Sequence, residues 1–161
     1  MSGMRLYLAR HGTAAAPAVD PACGLSREGR EGIGRLAAFI KSLSLQPVEV
    51  WHSGKDRAEQ TAKILATALS GSPPVIQHAG LNPNDSPMII AGEVEAEERD
   101  LMLVGHLPFM SLLSSYLLAR EGPPEVVLFR TGTLACLQRG SGELWHLEWT
   151  VHPGLLPIVG G

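Results

Sequence analysis

Apolar residues along this chain follow two alternating rhythms. Leu6, Tyr7, Leu8 and Ala9 form an unbroken apolar run that closes on Arg10, His11 and Gly12, the pattern of a buried strand that turns at a polar end. Ile33, Leu36, Ala37, Ile40 and Leu43 then recur at helical spacing behind Ser26, which predicts a helix from about 27 to 43 with Ser26 as its N-cap. Pro47 breaks that pattern, and Val48 to His52 reads as a short strand running into Ser53 and Gly54. Ala58, Ala62, Leu65 and Leu69 line a second helix, ended by the Ser70-Gly71-Ser72-Pro73-Pro74 cluster, with Val75-Ile76 as a further strand.

Asn82-Pro83-Asn84-Asp85 is a turn, and Ser86-Pro87 opens a short helix over Met88 to Val94. The acidic cluster Glu93 to Asp100 reads as a solvated face. Leu101 to Gly105 is a third buried strand, ending on His106, and Phe109, Leu112, Leu113, Tyr116 and Leu117 share one side of the helix behind it. After Gly122-Pro123-Pro124, three apolar runs read as strands, Val126 to Phe129, Leu134 to Leu137 and Leu144 to Trp149, the last two as a hairpin. The tail beyond Pro153 is apolar, and Leu155 to Val159 is expected to form an interface or to cover a sheet edge.

Strands that alternate with helices predict an α/β fold: a three-layer sandwich whose mostly parallel central sheet is covered by helices on both faces, with late antiparallel strands. One domain over residues 1–161 accommodates every element. Ligands of such sheets collect at the carboxyl ends of the strands. That rule brings Arg10, His11, Ser53, Arg57 and His106 to one place despite their separation in sequence.

Composition narrows the chemistry. The formal net charge of −3 and scattered basic residues give no stripe for nucleic acid, so any anion site is local. No apolar run approaches the roughly 18 residues of a membrane span and no signal core opens the chain, so no membrane role and a cytoplasmic location are expected. Cys23 and Cys136 are far apart and are expected to be reduced, buried side chains. His52, His78, His146 and His152 fit no functional spacing, no metal site is indicated, and the three tryptophans lie in strand signals as core residues.

Two arginines and two histidines at one sheet edge suit a tetrahedral dianion such as phosphate. Arginine's planar fork bonds two oxygens together, and imidazole serves either as a neutral nucleophile or as a donor. Arg10-His11-Gly12-Thr13, Leu25-Ser26-x-x-Gly29, Arg57-Ala58-Glu59-Gln60-Thr61 and Gly105-His106-Leu107-Pro108, in this order, resemble the histidine phosphatase superfamily, the phosphoglycerate mutase-like fold. The short length, the Leu81-Asn82-Pro83 turn and the His106-Leu107-Pro108 run resemble its SixA-type phosphohistidine phosphatases.

The resemblance implies a two-step hydrolysis in which His11 takes the phosphoryl group and water then removes it, without a cofactor or metal. Arg10, Arg57 and His106 would hold phosphoryl oxygens, with Thr13 and the N–H of Leu107 at a helix start as further donors. Two departures stand out. Much of the family has Ser-Pro before the arginine helix where this chain has Ser53-Gly54, so a looser backbone is expected there, and Lys55 adds charge. The larger family members carry a carboxylic acid in the middle segment as proton donor, for which Asp85 is the candidate here.

Thin acid provision favours P–N over P–O substrates, because an imidazole leaves more readily than an alkoxide. The short 78–100 segment leaves room for a phosphorylated side chain on another protein. The expected partner is a phosphoprotein, with His-containing phosphotransfer domains suggested by the family, and inorganic phosphate is the product. The alternatives are a phosphatase of small phosphate esters and, in another class, a phosphate-binding or protein-interaction module with little turnover.

Overall fold

The computed structural model describes residues 3–120, 125–142 and 144–158. Its strands are β1 (Arg5–Arg10), β2 (Glu49–His52), β3 (Val75–Gln77), β4 (Leu101–Gly105), β5 (Leu134–Arg139) and β6 (Trp145–Val151). Its helices are α1 (Arg27–Lys41), α2 (Asp56–Ala66), α3 (Pro87–Ala96) and α4 (Phe109–Ala119). The strands form one sheet in the order β3-β2-β4-β1-β5-β6. The first four run parallel, while β5 and β6 are antiparallel at one side.

Period-two alternation sorts the side chains onto the two faces. Tyr7, Ala9, Val50, Met102 and Val104 pack beneath α1 and α2, against Ile33, Leu36, Ile40, Ala58, Ala62 and Leu65. Leu6, Leu8, Trp51, Leu101 and Leu103 pack on the other side against Ile90 and Val94 of α3 and Phe109, Leu113 and Leu117 of α4. β4 is buried along its whole length because helices cover both faces, which explains its continuous apolar run. Each large side chain so buried contributes about 1.5–3 kcal/mol.

Local signals set the helix starts. The Ser26 side chain accepts from the Gly29 N–H ahead of α1, and Ser86 accepts from the Met88 N–H ahead of α3 with Pro87 in its first turn. α1 ends at Lys41, so Leu43 lies past the helix and is 43 % exposed.

Three regions differ from the pattern's expectation. Val126 to Phe129 is not a strand, although Val127 and Phe129 are buried. The backbone there serves side chains rather than a ladder: the Val126 N–H donates to the Ser115 hydroxyl and the Phe129 carbonyl accepts from Arg10. The acidic segment is paired rather than merely solvated, with Glu93 facing His78, Glu95 facing Arg120, Glu97 facing Arg99 and Asp100 accepting from the Arg5 N–H. Cys136 is buried, but Cys23 is half-buried with φ +52 in an exposed loop.

Gly122-Pro123-Pro124 and Val159 lie outside the described residues. Of the rest of the apolar tail, Leu156 packs against the α1/α2 core, while Leu155 and Ile158 are exposed. Among the described residues no helix is long and apolar enough to cross a membrane.

Candidate active site

Sheet register decides which side chains can meet. Arg10 is level with Gly105 across the β1–β4 pair, and His52 is level with Val104 across β2–β4. The residues that follow, His11, His106 and Ser53, therefore leave the same edge of the sheet side by side. The His11 and His106 rings lie 5.0 Å apart between centroids.

The loop after β1 is held on every side. The His11 N–H donates to the Gly105 carbonyl at 3.0 Å, and the His11 carbonyl accepts from the Gly132 N–H at 3.0 Å. The Gly12 N–H donates to Thr61 Oγ1 at 3.1 Å, and that hydroxyl donates to the Arg57 carbonyl at 2.7 Å. α2 is thereby stapled to the loop it faces. The Thr13 carbonyl accepts from both the N–H and the hydroxyl of Ser26, at 2.9 and 3.2 Å. Gly29 is required at this contact, since a Cβ there would lie 2.0 Å from the Thr13 oxygen.

His11 Nδ1 lies 2.7 Å from the Gly12 carbonyl oxygen. A carbonyl only accepts, so Nδ1 carries the hydrogen and Nε2 of the neutral ring keeps its lone pair. Burial, with Arg57 and Arg10 nearby, pushes the His11 pKa down to about 4, overriding the opposing pull of the Gly12 carbonyl. With that value the ring is neutral at pH 7.

The loop after β2 is organised differently. Gly54 has φ +94, and its N–H donates to Nδ1 of the buried His52 at 3.0 Å. Proline can adopt neither that φ nor that bond. Where much of the family has proline, this loop is held at Gly54 by a hydrogen bond to the preceding strand. Ser53 Oγ lies 2.6 Å from His106 Nε2 and accepts from the Lys55 N–H at 3.3 Å. Lys55 is the N-cap residue of α2, so Arg57 projects from that helix's first turn.

His106 is 2 % exposed and its pKa is pushed down to about 3, by burial first and then by His11, Arg57, Lys55 and Arg10. Its Nδ1 is buried without a hydrogen-bond partner among the described residues. Arg10 donates from Nη1 to the Phe129 carbonyl at 2.9 Å, while its buried Nε has no partner among the described residues. Among the described residues the Arg57 guanidinium makes no hydrogen bond or ion pair. Buried nitrogens without partners among the described residues, beside cations without an ion pair there, form a site matched to an anion.

The structure thus brings Arg10, His11, Arg57 and His106 together. Thr13 stands two residues beyond His11 with its carbonyl committed to Ser26. Leu107 precedes Pro108, the N-cap of α4, so its N–H lies outside the helix's first turn. The Asp85 carboxylate accepts from the Asn82 N–H at 2.9 Å and so closes its own turn. Sequence patterns alone missed the scaffolding roles of Thr61 and Gln60, whose Oε1 accepts from the Leu25 N–H at 2.7 Å. Their presence in the helix-opening motif was the available signal. Among the described residues no group of three or more His, Cys, Asp or Glu is placed to hold a metal ion.

Residues 6–85 match the model of the histidine phosphatase superfamily, branch 1. The chain belongs to that superfamily. Among solved structures, the protein histidine phosphatase SixA in complex with tungstate matches 94 % of this chain and 99 % of its own at 23 % identity, with a TM-score of 0.81. A protein from Agrobacterium tumefaciens provisionally named phosphohistidine phosphatase SixA matches with the same coverages at 24 % identity, TM-score 0.74. A mycobacterial glucosyl-3-phosphoglycerate phosphatase in complex with VO3 matches 91 % of this chain and 98 % of its own at 18 % identity, TM-score 0.66. At these identities the likeness concerns the fold, the mixed and mostly parallel sheet described above. No curated protein matches significantly. The matched residues 6–85 run from β1 through α1, β2 and α2 to β3.

Proposed function

We propose that this protein is a phosphohistidine phosphatase that acts on a partner phosphoprotein in the cytoplasm through a phosphorylated His11. The observation that carries the reading is the His11 tautomer: Nδ1 donates to the Gly12 carbonyl, while Nε2 has no partner among the described residues and lies near Arg10, Arg57 and His106.

In the first step the Nε2 lone pair forms a bond to phosphorus as the substrate's P–N bond breaks. The released electron pair stays on the leaving imidazole nitrogen, which takes a proton from solvent. Arg10 and Arg57 hold the equatorial oxygens and stabilise their charge. When the Ser53 hydroxyl donates to His106 Nε2, the remaining ring hydrogen of His106 sits on Nδ1, ready for a phosphoryl oxygen. In the second step water attacks phosphorus, the His11–phosphorus bond breaks, and inorganic phosphate leaves.

Two features support a P–N substrate on a protein. One oxygen of the Asp85 carboxylate accepts from the Asn82 N–H, which ties Asp85 to its own turn and argues against it as the acid for an alkoxide leaving group. The 78–100 segment is spent on a turn and on α3, which packs on the core through Ile90, Ala91 and Val94, rather than on a lid. The fold shared with the solved SixA proteins supports the same reading, while its likeness to the mycobacterial phosphatase keeps small esters as the second substrate class.

The test is a paired assay, with chelator and without added metal, of a phosphohistidine-bearing protein and of a simple phosphate monoester. The expected result is His11-dependent loss of phosphohistidine with slow ester cleavage and a trapped phosphoenzyme. Preference for the ester would overturn the substrate assignment. Absence of any phosphoenzyme would overturn the mechanism in favour of a binding module.

A further inference from the structure

His52 lies one strand position before the site and carries no role in the chemistry above, yet it is 3 % exposed and its two ring nitrogens face the site loop at Gly54 and the helix that follows it at Glu59. Its Nδ1 accepts from the Gly54 N–H at 3.0 Å. With Nδ1 accepting, the ring hydrogen is on Nε2, which faces Glu59 Oε2 of α2 at 3.9 Å. Between the two anchored residues stands Ser53, whose Oγ meets His106, and the next helix carries Arg57. We propose that His52 is a positioning residue: by holding Gly54 in its left-handed conformation it sets the place of Ser53 and the start of α2, and through them of His106 and Arg57.

The local geometry has few substitutes. Gly54 at φ +94 occupies a region that side chains with a Cβ rarely enter, and a Cβ there would lie 2.5 Å from the Gln77 side chain. A backbone N–H turned inward at such a residue needs a buried acceptor, and the Nδ1 of a neutral imidazole supplies it. Burial, opposed by Glu59 and reinforced by Lys63, holds the His52 pKa below its ordinary value, so the acceptor persists at neutral pH. The family's Ser-Pro stiffens this loop by covalent constraint; this chain does so by a hydrogen bond from β2.

The inference rests on the reading of Ser53, His106 and Arg57 as the phosphoryl-binding wall, and its test separates the two. Three variants are compared with wild type: His52→Leu, which removes the acceptor; His52→Asn, whose amide oxygen can replace Nδ1; and Gly54→Pro, which restores the family residue while removing the donor. Tungstate affinity by calorimetry reports the wall whether or not turnover occurs, and phosphoramidate hydrolysis reports catalysis. Thermal melting establishes that each variant is folded.

The expected result is about tenfold weaker tungstate binding and a raised phosphoramidate KM in His52→Leu and in Gly54→Pro, with His52→Asn within about threefold of wild type. Folded His52→Leu with wild-type affinity overturns the proposal, as does a folded His52→Asn as damaged as the leucine variant. If His52→Leu does not fold, Gly54→Pro decides: wild-type tungstate affinity in it overturns the proposal, and the loss supports it. Tungstate binding by wild type without phosphoramidate turnover would overturn the proposed function and leave this comparison intact.

Discussion

The loops after β1 and β2 perform the same task by different means. After β1, His11 and Gly12 are held by partners from β4, α2 and the 130–133 turn, with the close contact at Gly29 giving the next residue its place. After β2, Ser53 and Gly54 rely on one buried ring from their own strand, on the Ser53–His106 contact and on the Lys55 N–H. The proposed nucleophile is thus over-determined, whereas the loop that leads to Arg57 hangs on a few bonds. An atom that forms a bond to phosphorus needs placing to a fraction of an ångström, while a cation acting through space tolerates more.

The comparison is tested most severely at its centre. His11→Ala should reduce turnover by at least about a thousandfold and abolish the phosphoenzyme, since no other group replaces a covalent nucleophile. Full activity in that variant would falsify the mechanism. On the other loop, Arg57→Ala and His106→Ala should each cost on the order of 100-fold in kcat/KM, the loss expected for one transition-state donor. A loss below about threefold for either would remove it from the phosphoryl-binding set.

Next comes the staple between the two loops. Thr61→Val keeps the shape of the side chain but leaves the buried Gly12 N–H without its acceptor, a cost of about 1–3 kcal/mol in stability. It should lower kcat by about tenfold, because the loop after β1 moves relative to Arg57. Unchanged kcat with lowered stability would show that the staple supports folding alone.

The pH profile separates the two histidines from ordinary ones. His11 must be neutral to attack, so activity should fall only as pH drops toward about 4 instead of 6.5. For stability the sign follows from linkage. Both His11 and His106 have depressed folded values, so below 6.5 the unfolded chain binds protons that the native state refuses. Stability should be full above 6.5 and decline as pH falls from there toward 4 and 3; denaturant melts across that window check it.

The smallest effect is expected where the chain serves only itself. Asp85→Ala should cost about 1 kcal/mol through loss of the turn bond and leave phosphohistidine hydrolysis within about twofold. A selective fall in ester hydrolysis would return Asp85 to the role of proton donor.

Much of this was legible in the residue order. Apolar runs located β1, β2 and β4, and Ser26 and Ser86-Pro87 marked helix starts, because burial and capping are local demands written into residue type. The polar residue at each strand end named Arg10, His11 and His106. What the pattern misjudged were segments whose backbone bonds to side chains. Val126 to Phe129 has a strand's apolar content, yet its polar groups serve Ser115 and Arg10. Gly54 read as looseness, although a ring two residues away holds it.

Sequence by itself determined the order of elements, the faces they bury and the cationic, imidazole-bearing strand ends, since each depends on residue type and on spacing within a few positions. Only the tertiary structure decided which nitrogen of His11 is free, that Thr61 joins the two loops, and that His52 holds Gly54. The His11 tautomer depends on how the backbone at Gly12 turns its carbonyl, and the bonds of Thr61 and Gly54 on which partner reaches them. Those partners are chosen by register and packing together.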